Sequence, residues 1–319
     1  MSISRYFILF NFLFIFLNAN ELKPQFQYEA SGAVTELIYK ENKLYASTDA
    51  SCIDIFDTKT KEKITTILFP KIKDFMGDLV NSKIYSIDIL KDKVLSVSQG
   101  EKGGRNLNIY QDGTFKTIIS DKERMFIAKA KFLDKNRIVF ALLSNEIYIY
   151  DINTKKRIKK VDVSLSKFSD FVLSEDKKKI VVADESGVLK MLTTDDLKLQ
   201  KEFKNQNLDN VFQVALKNQI IATAGQDRRA VVYDILNNKA QYITAPFLIY
   251  SVGLSPSGKQ AGIAYDEENN ILIFDTKNKT KKAILIDNLA IISKIIFINE
   301  KEIFVSSDDK KINYYKIKE

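Results

Sequence analysis

An apolar-rich stretch ending on polar residues recurs along the chain: IDIFD at 53–57, LNIYQ at 107–111, IYIYD at 147–151, LKMLT at 189–193, VVYD at 231–234, ILIFD at 271–275 and INYYK at 312–316. The closing polar positions are 57, 111, 151, 193, 234, 275 and 316, at intervals of 54, 40, 42, 41, 41 and 41 residues. Five of the six intervals agree within two residues, and the first carries an insertion. Each period contains the same parts in order. A first apolar strand (VFQVAL, 211–216) is followed by a turn, a small and β-branched second strand (IIATA, 220–224), a polar hairpin, the third strand above and a more polar fourth (KAILI, 282–286). Four short strands in about 41 residues make one β-propeller blade. The third strands are apolar at successive positions, which suits a blade buried on both faces, and a two-sheet sandwich would not need seven copies of the unit.

The expected fold is therefore all-β, a seven-bladed β-propeller. The seventh third strand runs to the end of the chain without a fourth, while PQFQYE at 24–29 precedes the first repeat with nothing to pair with. Placed as the outer strand of the last blade, that segment closes the ring and covers an unpaired edge.

Residues 1–19 read as a signal peptide and 20–319 as the propeller. Arg5 supplies a positive n-region, the apolar run at 6–17 is shorter than the roughly 20 residues of a spanning helix, and Ala19 is a small residue at the cleavage point. No Cys follows the run for lipid attachment. The expected place is the periplasm, with no stable membrane insertion after cleavage.

Composition narrows the chemistry. The 319 residues are 45% hydrophobic and 28% charged, enough to bury a core. With no His, Ser-His and Cys-His catalysis and imidazole-bound zinc are excluded, and the single Cys52 excludes an internal disulfide. The net charge of +8 comes from 49 basic against 41 acidic side chains. The lysines are spread along the chain rather than grouped as a nucleic-acid surface requires, so no nucleic-acid partner is expected.

The repeat resembles WD40 propellers. Phe56-Asp57, Tyr150-Asp151, Tyr233-Asp234 and Phe274-Asp275 stand where that family has Trp-Asp, and its Gly-His pair is absent. The segments YEASGA (28–33), ADESG (183–187), AGQDRR (224–229) and GLSPSG (253–258) resemble the NapL family of WD40-like accessory proteins of periplasmic nitrate reductase systems. The resemblance implies an exported, cofactor-free auxiliary that supports the maturation or activity of a molybdenum-containing reductase without itself reducing nitrate.

In propellers of this type, the loops from second to third strand share one face with the connections between blades. Arg105, Arg228 and Arg229 lie in such loops, and guanidinium forks serve as interface anchors. With Asp227 they are candidate partner-binding residues, the alternative being bonds to loop backbone. Asp49, Asp184, Asp227, Asp266 and Asp308 occupy equivalent turns, where structural N–H acceptance outweighs metal or acid–base roles. Phe75 and Met76 in the insertion at 70–81 are expected on a short helical turn that docks a partner or packs on the rim. Cys52 reads as a small buried hydrophobe.

The expected function is a monomeric, non-catalytic periplasmic scaffold or assembly protein that binds a nitrate reductase subunit or maturation factor. The alternatives are a generic envelope-assembly or cell-wall-binding propeller, or a hydrolase or dehydrogenase with a channel site. The last is disfavoured because such sites often use His.

Overall fold

The computed structural model describes residues 20–317; the expected signal segment 1–19 lies outside the described residues. Seven antiparallel four-stranded blades follow one another, opening with first strands Val34–Lys40, Ile84–Leu90, Ile127–Phe132, Phe168–Leu173, Val211–Lys217, Val252–Leu254 and Ile292–Phe297. Blade 5 shows the order from the axis outward: Val211–Lys217, Ile220–Gly225, Arg229–Asp234, Lys239–Thr244. First strands of adjacent blades touch all the way round, the seventh against the first.

Strand periodicity explains why the middle strands are apolar at every position. Successive side chains of a strand point to opposite faces. In Lys179–Asp184 of blade 4, Ile180 and Val182 pack towards blade 3, while Val181 and Ala183 pack towards blade 5. The described residues form seven apolar clusters, one for each interface between neighbouring blades.

The recurring polar end of the third strand is a turn device. The Asp57 carboxylate accepts the N–H groups of Lys59 (2.7 Å) and Thr60 (3.0 Å), and Asp151 and Asp275 repeat the pattern. These N–H groups lead the forces that hold the Asp57 and Asp151 carboxyls below their usual range. Four residues past each Asp, the backbone turns left-handed at Lys61, Lys155, Asn238 and Lys279. The Asp and the turn together reverse the chain into the fourth strand.

The N-terminal chain joins two blades. Phe26–Glu29 pairs antiparallel with Lys311–Lys316 as the outer strand of blade 7, with Tyr28 opposite Ile312. Asn20–Leu22 adds a fifth strand to blade 6, parallel to Lys281–Leu285, and the sequence reading had no place for it. Tyr28 turns into the interface between blades 7 and 1, edge-on to Phe56 (5.3 Å) and Phe304 (5.8 Å).

The insertion between blades 1 and 2 is a small hairpin, Ile72–Lys73 with Leu79–Val80, and not the expected helical turn. The Asp74 carboxylate accepts the N–H groups of Met76 and Asp78, and Gly77 takes a φ of 92°. Those bonds hold the backbone in a reversal that a helical turn would have to break.

Tyr28→Ala empties a site shared by blades 7 and 1 and is expected to cost about 3–5 kcal/mol in urea unfolding. Leu165→Ala, on a fully exposed connection, is expected to stay within about 0.5 kcal/mol of wild type. Equal effects of the two would contradict the role given to the N-terminal strand.

Candidate functional site

A repeated irregularity builds the mouth of the central channel. In six blades the pairing of the first strand skips its second residue: Thr35, Tyr85, Ala128, Ser169, Phe212 and Ser293. Such a bulge leaves one residue unpaired and re-aims its neighbours. In blades 1, 3, 4, 5 and 7 the skipped residue and the next one both line a cavity of about 170 Å³ at the axis. The flanking residues, Ile127 and Ala130 or Phe168 and Phe171, are buried. Val34 pairs with Thr48, Phe168 with Asp184 and Val211 with Gly225, so this mouth opens where second strands end and third strands begin. The second-to-third-strand loops and the connections between blades lie on the same face.

Beneath the mouth is a belt of charge. A second cavity of about 320 Å³ shares Glu36, Lys129 and Lys294 with the first and adds Lys131 and Asp88. Lys129 Nζ lies 2.7 Å from Asp170 Oδ1, and Lys131 Nζ lies 3.0 Å from Glu36 Oε1. The other carboxylate oxygens are also occupied: Glu36 Oε2 accepts Ile87 N–H, and Asp170 Oδ2 accepts Val214 N–H. Burial opposes ionisation of Glu36, but the ammonium groups of Lys131, Lys129 and Lys294 and the Ile87 N–H outweigh it and hold its carboxyl at about 2. Burial likewise opposes the charge on Lys129, and Asp170 and Glu36 overcome it to raise its pKa. Lys294 is the opposite case. Burial and the nearby Lys129 push its pKa down against the pull of Asp170 and Glu36.

The sequence reading passed over this belt because it took the first strands as apolar. Its signal is a charged or amide side chain at the third position of the first strand: Glu36, Lys129, Asp170, Gln213 and Lys294.

Two of the three candidate arginines are engaged within the propeller. Arg105 Nη1 donates to Ile127 O (2.7 Å), and its guanidinium lies 3.8 Å from the Tyr85 ring centroid, bracing a mouth residue. Burial pulls its pKa down. Arg229 donates to Gln206 O and lies 4.4 Å over Tyr242. Asp227 accepts Arg229 N–H and Leu208 N–H, tying a hairpin turn to the connection between blades. Arg228 is exposed, with a left-handed φ of 63°. Arg105 belongs to blade 2 and Arg228 to blade 5, so the arginines form no single cluster. Phe75 and Met76 are 80% and 86% exposed at the tip of the hairpin, and Phe75 approaches Gly103 of the blade 2 loop.

Asp184 and Asp266 accept backbone N–H groups in their turns, in blade 7 Asp309, next to Asp308, accepts Lys311 N–H, and Asp49 accepts Ala33 N–H from the segment that enters blade 1. Asp184 also receives Asn145 Nδ2 and Ser164 Oγ, joining blade 4 to blade 3. Among the described residues, no group of three or more His, Cys, Asp or Glu is placed to hold a metal ion. Cys52 is buried beside Thr48, and burial pushes its thiol up.

The mouth face also collects exposed apolar side chains. Eight of the fifteen large exposed hydrophobics among the described residues sit on connections between blades at this end, Phe75, Met76, Leu79, Phe126, Leu165, Leu208, Leu289 and Ile291, and Leu68 closes the outer strand of blade 1 at the same end. Of the other six, five lie on outer strands, and Leu236 alone is on a turn of the opposite face.

Glu36→Gln leaves Lys131 buried without its counter-charge and is expected to cost about 3–5 kcal/mol near neutral pH. The folded carboxyl titrates at about 2, below its ordinary 4.5, so its contribution is complete above that ordinary value and is lost as pH falls from there towards 2. Urea midpoints of wild type and variant should therefore differ most at about pH 7, draw together as pH falls below about 4.5, and converge only at about pH 2 or below. A gap independent of pH would contradict the ion pair.

No known protein family matches the sequence, and no curated protein does. Solved structures match by shape. A chain in a crystal structure of a mitotic checkpoint complex superposes with a TM-score of 0.77 at 11% identity, covering 100% of this chain and 97% of that one. In all, 1876 solved chains match, so the likeness identifies the architecture and nothing narrower. This chain has the fold of a seven-bladed, WD40-like β-propeller.

Proposed function

We propose that this propeller is a non-catalytic scaffold that binds a protein partner on its mouth face. The observation that carries the reading is the concentration of exposed apolar side chains on the connections of that one face, while the opposite turns hold Leu236 alone. Large apolar side chains left exposed together on one face mark an interaction site. The Phe75–Met76 tip and Arg228 supply an apolar anchor and a free guanidinium on the same face. Arg105, Arg229 and Asp227 act beneath it by holding loops in place.

The signal-like segment at 1–19 and the resemblance of 28–33, 183–187, 224–229 and 253–258 to NapL-type proteins support a narrower form. In it the protein works in the periplasm, and the partner is a periplasmic nitrate reductase subunit or a factor that matures it. Among the described residues, no helix is long and apolar enough to cross a membrane.

Tagged protein recovered from its own cells growing on nitrate should carry a nitrate reductase subunit or maturation factor. Phe75→Ala with Met76→Ala should weaken that complex by about thirtyfold or more, the loss of a central anchor, and leave the urea midpoint unchanged. Arg228→Ala should weaken it less. Recovery of outer-membrane assembly proteins or cell-wall fragments instead would overturn the nitrate reductase reading, and binding indifferent to all three changes would overturn the face.

A further inference from the structure

Five lysines and four carboxylates line the two channel cavities. Four of the lysines are occupied: Lys129 by Asp170, Lys131 by Glu36, Lys177 by the Phe132 carbonyl and Lys217 by Glu175. Lys294 alone makes no hydrogen bond or ion pair with any described residue. It follows the bulged Ser293 on the first strand of blade 7, which turns it to the axis, where it lines both cavities. Asp88 shares the far cavity with Lys294 but makes no hydrogen bond or ion pair with it; its carboxylate accepts Phe132 N–H.

The other walls of the mouth are of a different kind. Tyr85 and Phe212 face the same cavity, Phe212 stacked on Tyr250 at 5.2 Å, while Phe168 packs into the interface between blades 3 and 4. The hydroxyls and amide beside Lys294 are already committed: Gln213 Nε2 donates to Ser293 O, and its Oε1 accepts from Ser251. The mouth therefore offers one uncommitted cation at its floor and two aromatic rings, Tyr85 and Phe212, at its rim. A single negative charge on an apolar body matches both. A dianion would need a second free cation, and a neutral ligand would leave the buried ammonium uncompensated.

We propose that the channel mouth is a binding site for a small organic monocarboxylate, its carboxylate paired with Lys294 Nζ and its apolar body against Tyr85 and Phe212. The site opens on the face proposed for partner docking, but none of the exposed apolar residues of that face lines it. The lowered pKa of Lys294 agrees with a cation whose counter-ion comes from outside the chain.

Benzoate, benzyl alcohol and chloride serve as probes in calorimetric titrations of the whole exported chain. Benzoate should bind with one site per chain, and benzyl alcohol and chloride should not compete with it. Lys294→Met should weaken benzoate by about thirtyfold or more. It should also unfold no earlier than wild type, because it removes an uncompensated charge. Lys198→Met, on an exposed turn, should change neither property. Should Lys294→Met fail to fold, amine acylation of the wild-type chain read by mass spectrometry decides, with benzoate slowing modification at Lys294 and at no other lysine. Absence of benzoate binding, equal binding by Lys294→Met, or equal affinity for benzyl alcohol would each overturn the site.

Discussion

Each blade of this protein has two apolar faces, and only another blade can cover either of them. Val181 and Val182 are neighbours in one strand, yet they belong to the cores of different interfaces. A blade with one neighbour would leave half of its apolar side chains in water, at a cost of about 25 cal/mol per Å². The ring therefore has to close. The Phe26–Glu29 strand completes blade 7, and Tyr28 enters the interface with blade 1. Asn20–Leu22 ties the same stretch to blade 6, so three blades are linked by about ten residues at the start of the described chain.

Closing seven first strands around an axis creates the second constraint. Apolar residues facing the channel would have no partner blade, and the chain instead places polar and charged residues there through one bulge repeated in six blades. Burying those charges is costly unless each finds a partner. Lys129 of blade 3 finds Asp170 on blade 4, Lys131 of blade 3 finds Glu36 on blade 1, and those pairs cross-link the inner ring. A rigid inner ring in turn frees the connections on the mouth face from carrying the fold. There the chain places apolar side chains that no blade covers.

The architecture was legible because the turn at the end of each third strand demands a particular chemistry. Asp57, Asp151, Asp234 and Asp275 each bind the N–H groups of their own turn, so the polar mark recurs with the blade and counts it. The hairpin at 72–80 was less legible. Phe75, Met76, Leu79 and Val80 have helix-like spacing, but Asp74 and Gly77 decide the backbone. The channel belt was missed because one polar residue in an apolar strand reads as noise until the strands stand in a circle. The roles of Arg105 and Arg229 turn on the nearby rings of Tyr85 and Tyr242, and no spacing in the sequence announces those contacts.

Closure makes seven similar blades one cooperative unit. Native-state hydrogen exchange tests it most directly, read at the second strands of all seven blades, from Lys43–Thr48 round to Glu302–Ser307. These amides should share one opening free energy, equal to that of global unfolding, in blades 1 and 7 as in blade 4. If blades 1 and 7 opened well below the rest, the ring would be a stack with free ends, and the role given to the N-terminal strand would be contradicted.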